Sequence, residues 1–427
     1  MKGSFKFFSK ETYAGILVVL LFLVSNNRSL VCWLNESCRY ANFPADYAVW
    51  GSIALIALLL MMRFGKGHEY WQAWKRNLPL GLFILYSITS ISWSILPERS
   101  LHTIIIMVAA SVTAGVLAVI YPPKTLMNIL LVFTAVCAVL SLLVVIVFPE
   151  HGIHQDAVWQ GAWRGIFEHK NDFGPIMALG NELALLSYLS ASKRNERITH
   201  ASIYLLTMFL IIMSRCSTAV VMLPILNGLT FLYYSWMKWG SKLQGRSVTR
   251  VFLVLAAGAL SVALLVIAVF LLTGKNLQLT GRVPLWLNLL ENVVSKKPWF
   301  GYGLETVWYD SEFQKWAAVT SGWGDRIIVI NGHNGYMDIL IYLGIVGLIL
   351  LCVFLVQGLM RATRRALGSS TWLDFFPLVT LVYFLVVNLT IDFMLEFESF
   401  HWIVMVILLF LPPGRFAETE QPSSVKT

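Results

Sequence analysis

The residue of this chain best suited to acid–base chemistry is His333, which lies in the run Asn331-Gly332-His333-Asn334-Gly335. An unperturbed imidazole has a pKa of about 6.5, so a histidine at a water boundary can exchange a proton near neutral pH. Gly344 follows eleven residues later. That spacing is about three turns at roughly 3.6 residues per turn, and it predicts that His333 and Gly344 share one face of a helix. A surface histidine without a chemical role is the plain alternative.

Three arginines are placed to bind an anion beside that histidine. Arg215 lies in the short connection 214–217, Arg282 begins an amphipathic segment, and Arg164 lies in the run 163–165. A guanidinium binds phosphate oxygens through paired donors and keeps its charge on partial burial. The three arginines together favour a diphosphate site. Taken singly, each arginine fits contact with lipid head groups equally well.

Other candidates for chemistry are weaker. His151 and His154 have a spacing found in metal sites, but no third ligand is evident, so no metal site is predicted. Glu182 falls inside an apolar stretch, where we expect it to pair with a neighbouring helix. The acidic residues that follow the predicted span 373–391 are expected to form an ordinary solvated turn; they are Asp392, Glu396 and Glu398.

The elements that must position these residues are membrane helices. The chain is 57% hydrophobic and only 13% charged, which is more apolar surface than a soluble domain can bury. Apolar stretches of about twenty residues recur, each long enough to cross a hydrocarbon core of ~30 Å. We therefore predict an all-α integral membrane protein of about twelve transmembrane helices. The predicted spans are 11–25, 46–62, 78–96, 101–120, 125–148, 173–191, 200–214, 219–237, 250–273, 335–356, 373–391 and 398–412.

The basic residues indicate orientation rather than nucleic-acid binding. The formal net charge is +9, but most Lys and Arg residues fall in alternate short loops, from Lys2, Lys6 and Lys10 onward. Short loops dominate the positive-inside bias, so both termini are predicted to be cytoplasmic. The loops that carry Arg164, Arg215 and His333 are then predicted to lie outside.

Two of these outer loops are long, residues 149–172 and 274–334, and the second follows the ninth predicted span. The second loop is predicted to be structured, because Pro284 suits a first helical turn and Pro298 ends the pattern. Its amphipathic helix is predicted to lie on the membrane surface with an apolar face formed by Trp286, Leu289, Leu290 and Val293.

The predicted organisation has three parts. Residues 1–148 hold spans one to five, residues 149–412 form the core with both long loops, and residues 413–427 are a cytoplasmic tail. Cys32 and Cys38 fall together in the first outer loop, where a disulfide and two unpaired thiols are both open possibilities.

Four short motifs occur in an order that resembles a known family. They are the run Trp163–Gly174, the run Ser214–Ala219, Gly281-Arg282 followed by Pro298–Gly303, and Gly332-His333-Asn334 followed by Gly344. They resemble the O-antigen ligase and Wzy-type polymerase family, and the first run is closest to its exopolysaccharide polymerase-like branch. The resemblance covers roughly residues 91–347. One departure is Trp286, which stands where the ligases often have Leu.

The resemblance implies a glycosyltransferase of the bacterial inner membrane with a periplasmic active site. Such proteins move a saccharide from a polyprenyl diphosphate, such as undecaprenyl diphosphate, to a sugar hydroxyl. The implied general base is His333, and the implied diphosphate-binding residues are Arg215, Arg282, Arg164 and Lys170. Asn334 and Gly344 take supporting positions. No cofactor is expected, and the partners are the lipid-linked donor, a saccharide acceptor and membrane lipid.

Three alternatives remain at this point. The loop motif favours a repeat-unit polymerase, whereas a ligase would transfer the glycan to lipid A-core. A glycolipid transporter or flippase is the alternative of another class. A transporter usually carries polar residues within its spans and internal symmetry. The predicted spans here are largely apolar and the polar cluster lies at one surface, which favours an enzyme.

Overall fold

The structure is a computed structural model that describes residues 43–156, 158–239, 281–322, 329–369, 371–393, 400–414 and 416. Within these ranges the chain is helical, and its only strand-like pairing is an isolated antiparallel bridge between Ile153 and Trp163. The predicted spans 11–25 and 250–273, the cysteines of the first loop and most of the tail lie outside the described residues.

The helices are numbered in chain order. They are α1 (Phe43–Arg63), α2 (Gly67–Arg76), α3 (Leu78–Thr89), α4 (Pro97–Ile120), α5 (Pro123–Val147), α6 (Pro149–Gly152), α7 (Lys170–Ser190), α8 (Arg194–Ser214), α9 (Ser217–Trp239), α10 (Arg282–Asn292), α11 (Ser311–Thr320), α12 (Gly335–Leu367), α13 (Trp372–Val387) and α14 (Phe400–Phe410). Short 3₁₀ turns occur at Ser90–Trp93, Val294–Lys296 and Val307–Tyr309.

Six of these helices are long and apolar enough to cross a membrane, judged by length and composition. They are α1, α4, α5, α8, α9 and α12, and shorter apolar helices include α13 and α14. Helix α7 carries Asn181 and Glu182 near its middle and is buried along most of its length. The predicted class, an all-α multi-pass membrane protein, is confirmed. The count of twelve spans stays a prediction.

Helices α7, α9 and α12 begin at the same end of the bundle, where α8 and α13 end. Thr218 Oγ1 lies 2.8 Å from Thr390 Oγ1, and the N–H of Gly335 donates to the Asn388 carbonyl oxygen at 3.0 Å. At the opposite end, Tyr233 Oη donates to the carbonyl oxygen of Thr371 at 3.1 Å. We call the first of these the site end, because His333 and the predicted anion-binding residues all lie there.

The longest helix, α12, is broken at Gly344, whose backbone is left-handed in φ (φ 65°, ψ −167°). A Cβ built on Gly344 would lie 2.2 Å from the carbonyl oxygen of Trp299. Only glycine suits this position, because both its backbone conformation and its contact exclude a side chain. Gly344 therefore lets the loop segment 298–303 come directly against the helix backbone.

Main-chain hydrogen bonds join that loop segment to the break. The N–H of Tyr302 donates to Ile341 O at 3.0 Å, and the N–H of Ile345 donates to Pro298 O at 2.8 Å. The loop thus uses backbone groups that an unbroken helix would bond internally. His333 also precedes the helix, whose N-cap is Asn334. The prediction that His333 and Gly344 share one face of a continuous helix is therefore wrong.

The predicted amphipathic helix is present as α10 and packs against α11. Its buried side chains are Leu285 and Leu289, whereas Leu290 is 40% exposed. Leu289 of the predicted apolar face is therefore buried within the protein, whereas Leu290 is exposed, and the contact of this face with the membrane surface stays a prediction.

Glu182 pairs with a neighbouring helix as predicted. Its Oε1 accepts a hydrogen bond from Thr230 Oγ1 of α9 at 2.5 Å, and its side chain is buried. The adjacent Asn181 donates through Nδ2 to the carbonyl oxygen of Tyr204 in α8 at 2.8 Å. These polar contacts hold α7 between two neighbours below the site end.

Candidate active site

His333 occupies a left-handed turn immediately before α12, with φ 50°. Such a backbone costs a non-glycine residue on the order of 1 kcal/mol, so surrounding contacts must hold it. The N–H of His333 donates to Asn331 Oδ1 at 3.1 Å. Asn334 then caps α12 by accepting from the N–H groups of Tyr336 and Met337. The supporting role predicted for Asn334 takes the form of this helix cap.

The peptide before His333 is held on both sides. The N–H of Gly332 donates to both carboxylate oxygens of the buried Asp338, at 2.9 and 3.0 Å. Trp308 Nε1–H donates to the same carboxylate at 2.8 Å, and Trp286 Nε1–H donates to the carbonyl oxygen of Gly332 at 2.8 Å. Sequence reasoning missed Asp338 and Trp308, although Asp338 lies only one helical turn beyond the histidine motif.

Asp392 belongs to this support rather than to a solvated turn, so that prediction is wrong for Asp392, whereas Glu396 and Glu398 lie outside the described residues. Its side chain is only 6% exposed, and Oδ1 accepts from Asn331 Nδ2 at 2.9 Å. Burial raises the pKa of Asp392 well above its ordinary value, and the carboxyl groups of Asp338 and Glu305 raise it further. Asn331 is thereby fixed between Asp392 and the His333 amide.

The imidazole of His333 is held in its neutral form. Burial lowers its pKa to about 3, and the positive charges of Arg282 and His169 contribute to the shift. A buried cation next to another cation is disfavoured, so the side chain carries no charge at neutral pH. The expected influence of a nearby arginine on His333 is therefore present for Arg282. Arg215 is not among the charges that shift this pKa.

Arg282 is the first residue of α10, which follows the left-handed Gly281 (φ 89°). Burial lowers the pKa of Arg282, yet a guanidinium remains protonated in proteins at neutral pH. Its charge acts on His333 and also on the buried thiol of Cys216. Arg282 thus lies between the histidine turn and the junction of α8 and α9.

Arg215 and Lys170 are two further cationic residues at the site end. Arg215 ends α8 in a left-handed conformation (φ 50°), and its exposed guanidinium donates through Nη1 to the Gln160 carbonyl oxygen at 3.1 Å. Lys170 Nζ donates to the carbonyl oxygen of Arg215 at 3.4 Å. Burial raises the pKa of Cys216, and the charges of Lys170 and Arg282 oppose that shift. Cys216 therefore lies within electrostatic range of both Lys170 and Arg282.

Arg164 lies at the same end, but its guanidinium donates hydrogen bonds to backbone carbonyl oxygens of its own loop. Its Nε donates to the carbonyl oxygen of His151 at 2.7 Å, and its Nη1 donates to that of Glu168 at 3.3 Å. Its charge still contributes to lowering the pKa values of His154 and His169. Arg164 thus orders the loop while adding positive charge beside the site.

Sequence reasoning also missed His169, which caps α7. Its Nδ1 accepts from the N–H of Asn171 at 3.1 Å, and its ring lies edge-on to Trp159 and His154, with centroids 4.6 and 5.0 Å apart. His154 is buried and bonded to Asp156, whereas His151 is exposed and paired with Glu150. The two histidines of the suggested metal spacing therefore point to separate partners. Across the described ranges, no three His, Cys, Asp or Glu residues are grouped to hold a metal.

A further polar cluster anchors the loop to α4. Arg99 Nη2 donates to Glu305 Oε1 at 3.2 Å, Thr103 Oγ1 donates to the other carboxylate oxygen, and the Arg99 guanidinium lies 4.2 Å from the Tyr309 ring centroid. Glu305 is left-handed (φ 54°), as are Arg215 and His333. The described non-glycine residues with positive φ therefore all lie at the site end, where strain is commonly stored for function.

The fold and the site define a multi-pass helical membrane protein with a neutral imidazole beside several cationic side chains at one end. Residues 200–352 match the family model described as O-antigen ligase, named Wzy_C, and this match supports the O-antigen ligase and Wzy-type family. It also supports a ligase/polymerase-type membrane glycosyltransferase. Arg215, Arg282, His333 and Gly344 lie inside the matched segment, whereas Arg164 and Lys170 lie before it. No curated protein matches the chain.

Proposed function

We propose that the protein transfers a saccharide from a polyprenyl diphosphate to a sugar hydroxyl on the extracytoplasmic face, as a metal-independent inverting glycosyltransferase. The observation that carries the proposal is the neutral imidazole of His333, fixed in a left-handed turn within electrostatic range of Arg282. A neutral imidazole can accept a proton, and a guanidinium can stabilise departing phosphate oxygens.

The proposed reaction is one displacement. The acceptor hydroxyl oxygen forms the new bond to the anomeric carbon while His333 takes the hydroxyl proton. The bond between that carbon and the diphosphate oxygen breaks, and its electron pair leaves with the polyprenyl diphosphate. Arg282 and Arg215, with Lys170 and Arg164 nearby, balance the charge that gathers on the leaving group. A single displacement without a protein nucleophile inverts the anomeric configuration.

The low pKa of His333 links base strength to donor binding. Burial and the charge of Arg282 lower the pKa of His333 to about 3, which makes the imidazole a weak base. A bound diphosphate brings negative charge that offsets Arg282 and favours the imidazolium. Donor binding therefore raises the pKa of His333 and strengthens the base only when a leaving group is present.

The distribution of basic residues supports an extracytoplasmic site. The described Lys and Arg residues at the opposite end of the bundle are Arg63, Lys66, Lys75, Arg76, Lys124, Lys193, Arg194, Arg197, Lys238, Arg361, Arg364 and Arg365. Short basic loops remain in the cytoplasm, so that end is the cytoplasmic one in this proposal and the site end faces the periplasm.

For the acceptor we favour a growing repeat-unit polymer over lipid A-core, because the run from Trp163 to Asn171 resembles the exopolysaccharide branch. The donor proposed is undecaprenyl diphosphate-linked glycan in a bacterial inner membrane. Transfer to lipid A-core in place of chain extension would establish the ligase alternative.

The test is a reconstituted assay with purified protein, a defined undecaprenyl diphosphate-linked oligosaccharide and either acceptor. We expect new glycosidic bonds of inverted configuration, at the same rate with and without EDTA. Strict dependence on a divalent ion would contradict the arginine-based mechanism. Movement of the lipid-linked glycan across the bilayer without any new bond would favour a flippase.

A further inference from the structure

The proton of the His169 ring is fixed by the cap of α7. The N–H of Asn171 donates to Nδ1 of His169 at 3.1 Å, so Nδ1 must carry a lone pair. Burial, followed by the charges of His154 and Lys170, lowers the pKa of His169 to about 3. The ring is therefore neutral, and its single N–H proton resides on Nε2.

Neighbouring rings hold His169 in that orientation. Trp159 lies edge-on to it, and so does His154, whose own tautomer is fixed. His154 Nε2 accepts from the N–H of Lys170 at 3.2 Å, and its Nδ1 lies 3.0 Å from Asp156 Oδ2. His154 therefore cannot turn to give His169 a different partner without breaking the start of α7.

This arrangement excludes His169 as a general base. Its Nδ1 is occupied by the cap, and its Nε2 already carries a proton, so the ring has a donor and no available acceptor. Within the described part of the chain, no protein acceptor is bonded to Nε2, and the side chain is only partly buried. The Nε2–H group is thus available to an oxygen atom of a ligand.

His169 is also within electrostatic range of several charged residues at the site end. The charges of Lys170 and Arg164 oppose its charged form, and its own charge would oppose that of His333. Lys170 is the next residue in the chain, so an oxygen-rich anion bound by Lys170 would lie near the His169 ring. A neutral N–H donor adds hydrogen-bond direction there without adding further charge repulsion.

We propose that His169 is a donor-binding residue whose Nε2–H group hydrogen-bonds a phosphate oxygen of the polyprenyl diphosphate. This inference rests on the proposed function and adds a neutral donor to the charged residues. His169 and His333 then have different roles. His169 donates a hydrogen bond to the leaving group, whereas His333 accepts the proton of the acceptor hydroxyl.

Two substitutions separate this role from helix capping. In His169→Asn, the amide oxygen replaces Nδ1 as the cap acceptor, but no N–H reaches the position of Nε2. In His169→Gln, the longer side chain places an N–H near the position of Nε2 and caps the helix less well. His151→Asn is the matched control, since His151 is an exposed histidine at the same end.

The measurement is equilibrium binding of undecaprenyl diphosphate to the full-length protein in lipid nanodiscs, with Tm recorded for each variant. We expect His169→Asn to weaken binding about 10-fold or more at nearly unchanged Tm, because a hydrogen bond to a charged group is lost. His169→Gln should bind more tightly than His169→Asn although its Tm is lower. The control should bind like the parent protein.

The assignment of His169 would be overturned if His169→Asn, the better helix cap, bound undecaprenyl diphosphate as tightly as His169→Gln or more tightly. That result would leave the proposed function standing, since the parent protein would still bind the diphosphate. Failure of the parent protein itself to bind undecaprenyl diphosphate would remove the proposed function and the role of His169 together.

Discussion

The carboxylate of Asp338 accepts two hydrogen bonds from one backbone group, the N–H of Gly332, at 2.9 and 3.0 Å. Asp338 lies in the first turn of α12, so this contact ties the helix start to the peptide that precedes His333. The position of the proposed base therefore depends on the helix rather than on a mobile side chain. Rigid support of this kind is what a reacting group requires.

Replacement of the proposed base tests its role directly. His333→Ala should lower the rate of transfer by about 100-fold to 10,000-fold, because general base catalysis contributes that much. The measurement is turnover of the lipid-linked donor under saturating conditions. His151→Ala is the control, since this exposed histidine lies at the same end and its side chain pairs with Glu150 rather than with any residue proposed to bind substrate. Transfer that survives His333→Ala would remove the assignment of the base.

The geometry of the guanidinium at position 282 should matter as well as its charge. Arg282→Lys retains one positive charge but loses paired donation to phosphate oxygens, so we expect kcat/KM to fall about 10-fold or more. Lys296→Ala, which removes an exposed cation from the same loop, should have no such effect. Equal kcat/KM for Arg282→Lys and the parent protein would show that charge alone suffices.

Gly344 should tolerate no side chain. Gly344→Ala forces a Cβ to within 2.2 Å of the Trp299 carbonyl oxygen and requires a left-handed alanine. We expect a loss of about 3 kcal/mol of stability from the strained backbone and the displaced loop. Gly51→Ala is the control, because nothing lies within 4 Å of the added methyl group in α1. Thermal unfolding of the two variants should separate them clearly, and an unchanged Tm for Gly344→Ala would contradict the close contact.

The pH dependence should report the low pKa of His333. The base form is present above the pKa, so a free-enzyme value of about 3 moves the acid limb of kcat/KM far below the ordinary value of about 6.5. We expect kcat/KM to stay level between about pH 5 and pH 8. The parameter kcat reports the donor-bound enzyme. Its acid limb should therefore be centred at a higher pH than that of kcat/KM, because the bound diphosphate is expected to raise the pKa of His333. An acid limb of kcat/KM centred near 6.5 would contradict the buried, neutral imidazole.

Hydropathy and spacing predicted most of the helices and the common location of the site residues. Apolar stretches alone place α4, α5 and α12, and alternation along the chain brings Arg215 and His333 to one end. Helical spacing also predicted α10. These features depend on local composition and on chain direction, both of which can be read directly from the sequence.

The contacts that hold the site depend on segments far apart in the chain. Asp392 is buried and accepts a hydrogen bond from Asn331, sixty-one residues earlier in the chain, and its neighbours in sequence give no sign of that bond. The break at Gly344 arises because the loop at Trp299 supplies alternative backbone partners. The tautomer of His169 is set by the cap of α7. Sequence pattern identifies such residues as polar or flexible but not as partners.

The broken helix α12 also has a consequence for assembly in the membrane. Backbone groups at bilayer depth must be satisfied, so the segment before docking is most stable as one straight helix. Contact with the loop exchanges internal hydrogen bonds for those to Pro298 and Tyr302. The turn that carries His333 precedes the part of α12 before the break, so docking of the loop at Gly344 sets the direction of that part, and of the turn, relative to the rest of the helix.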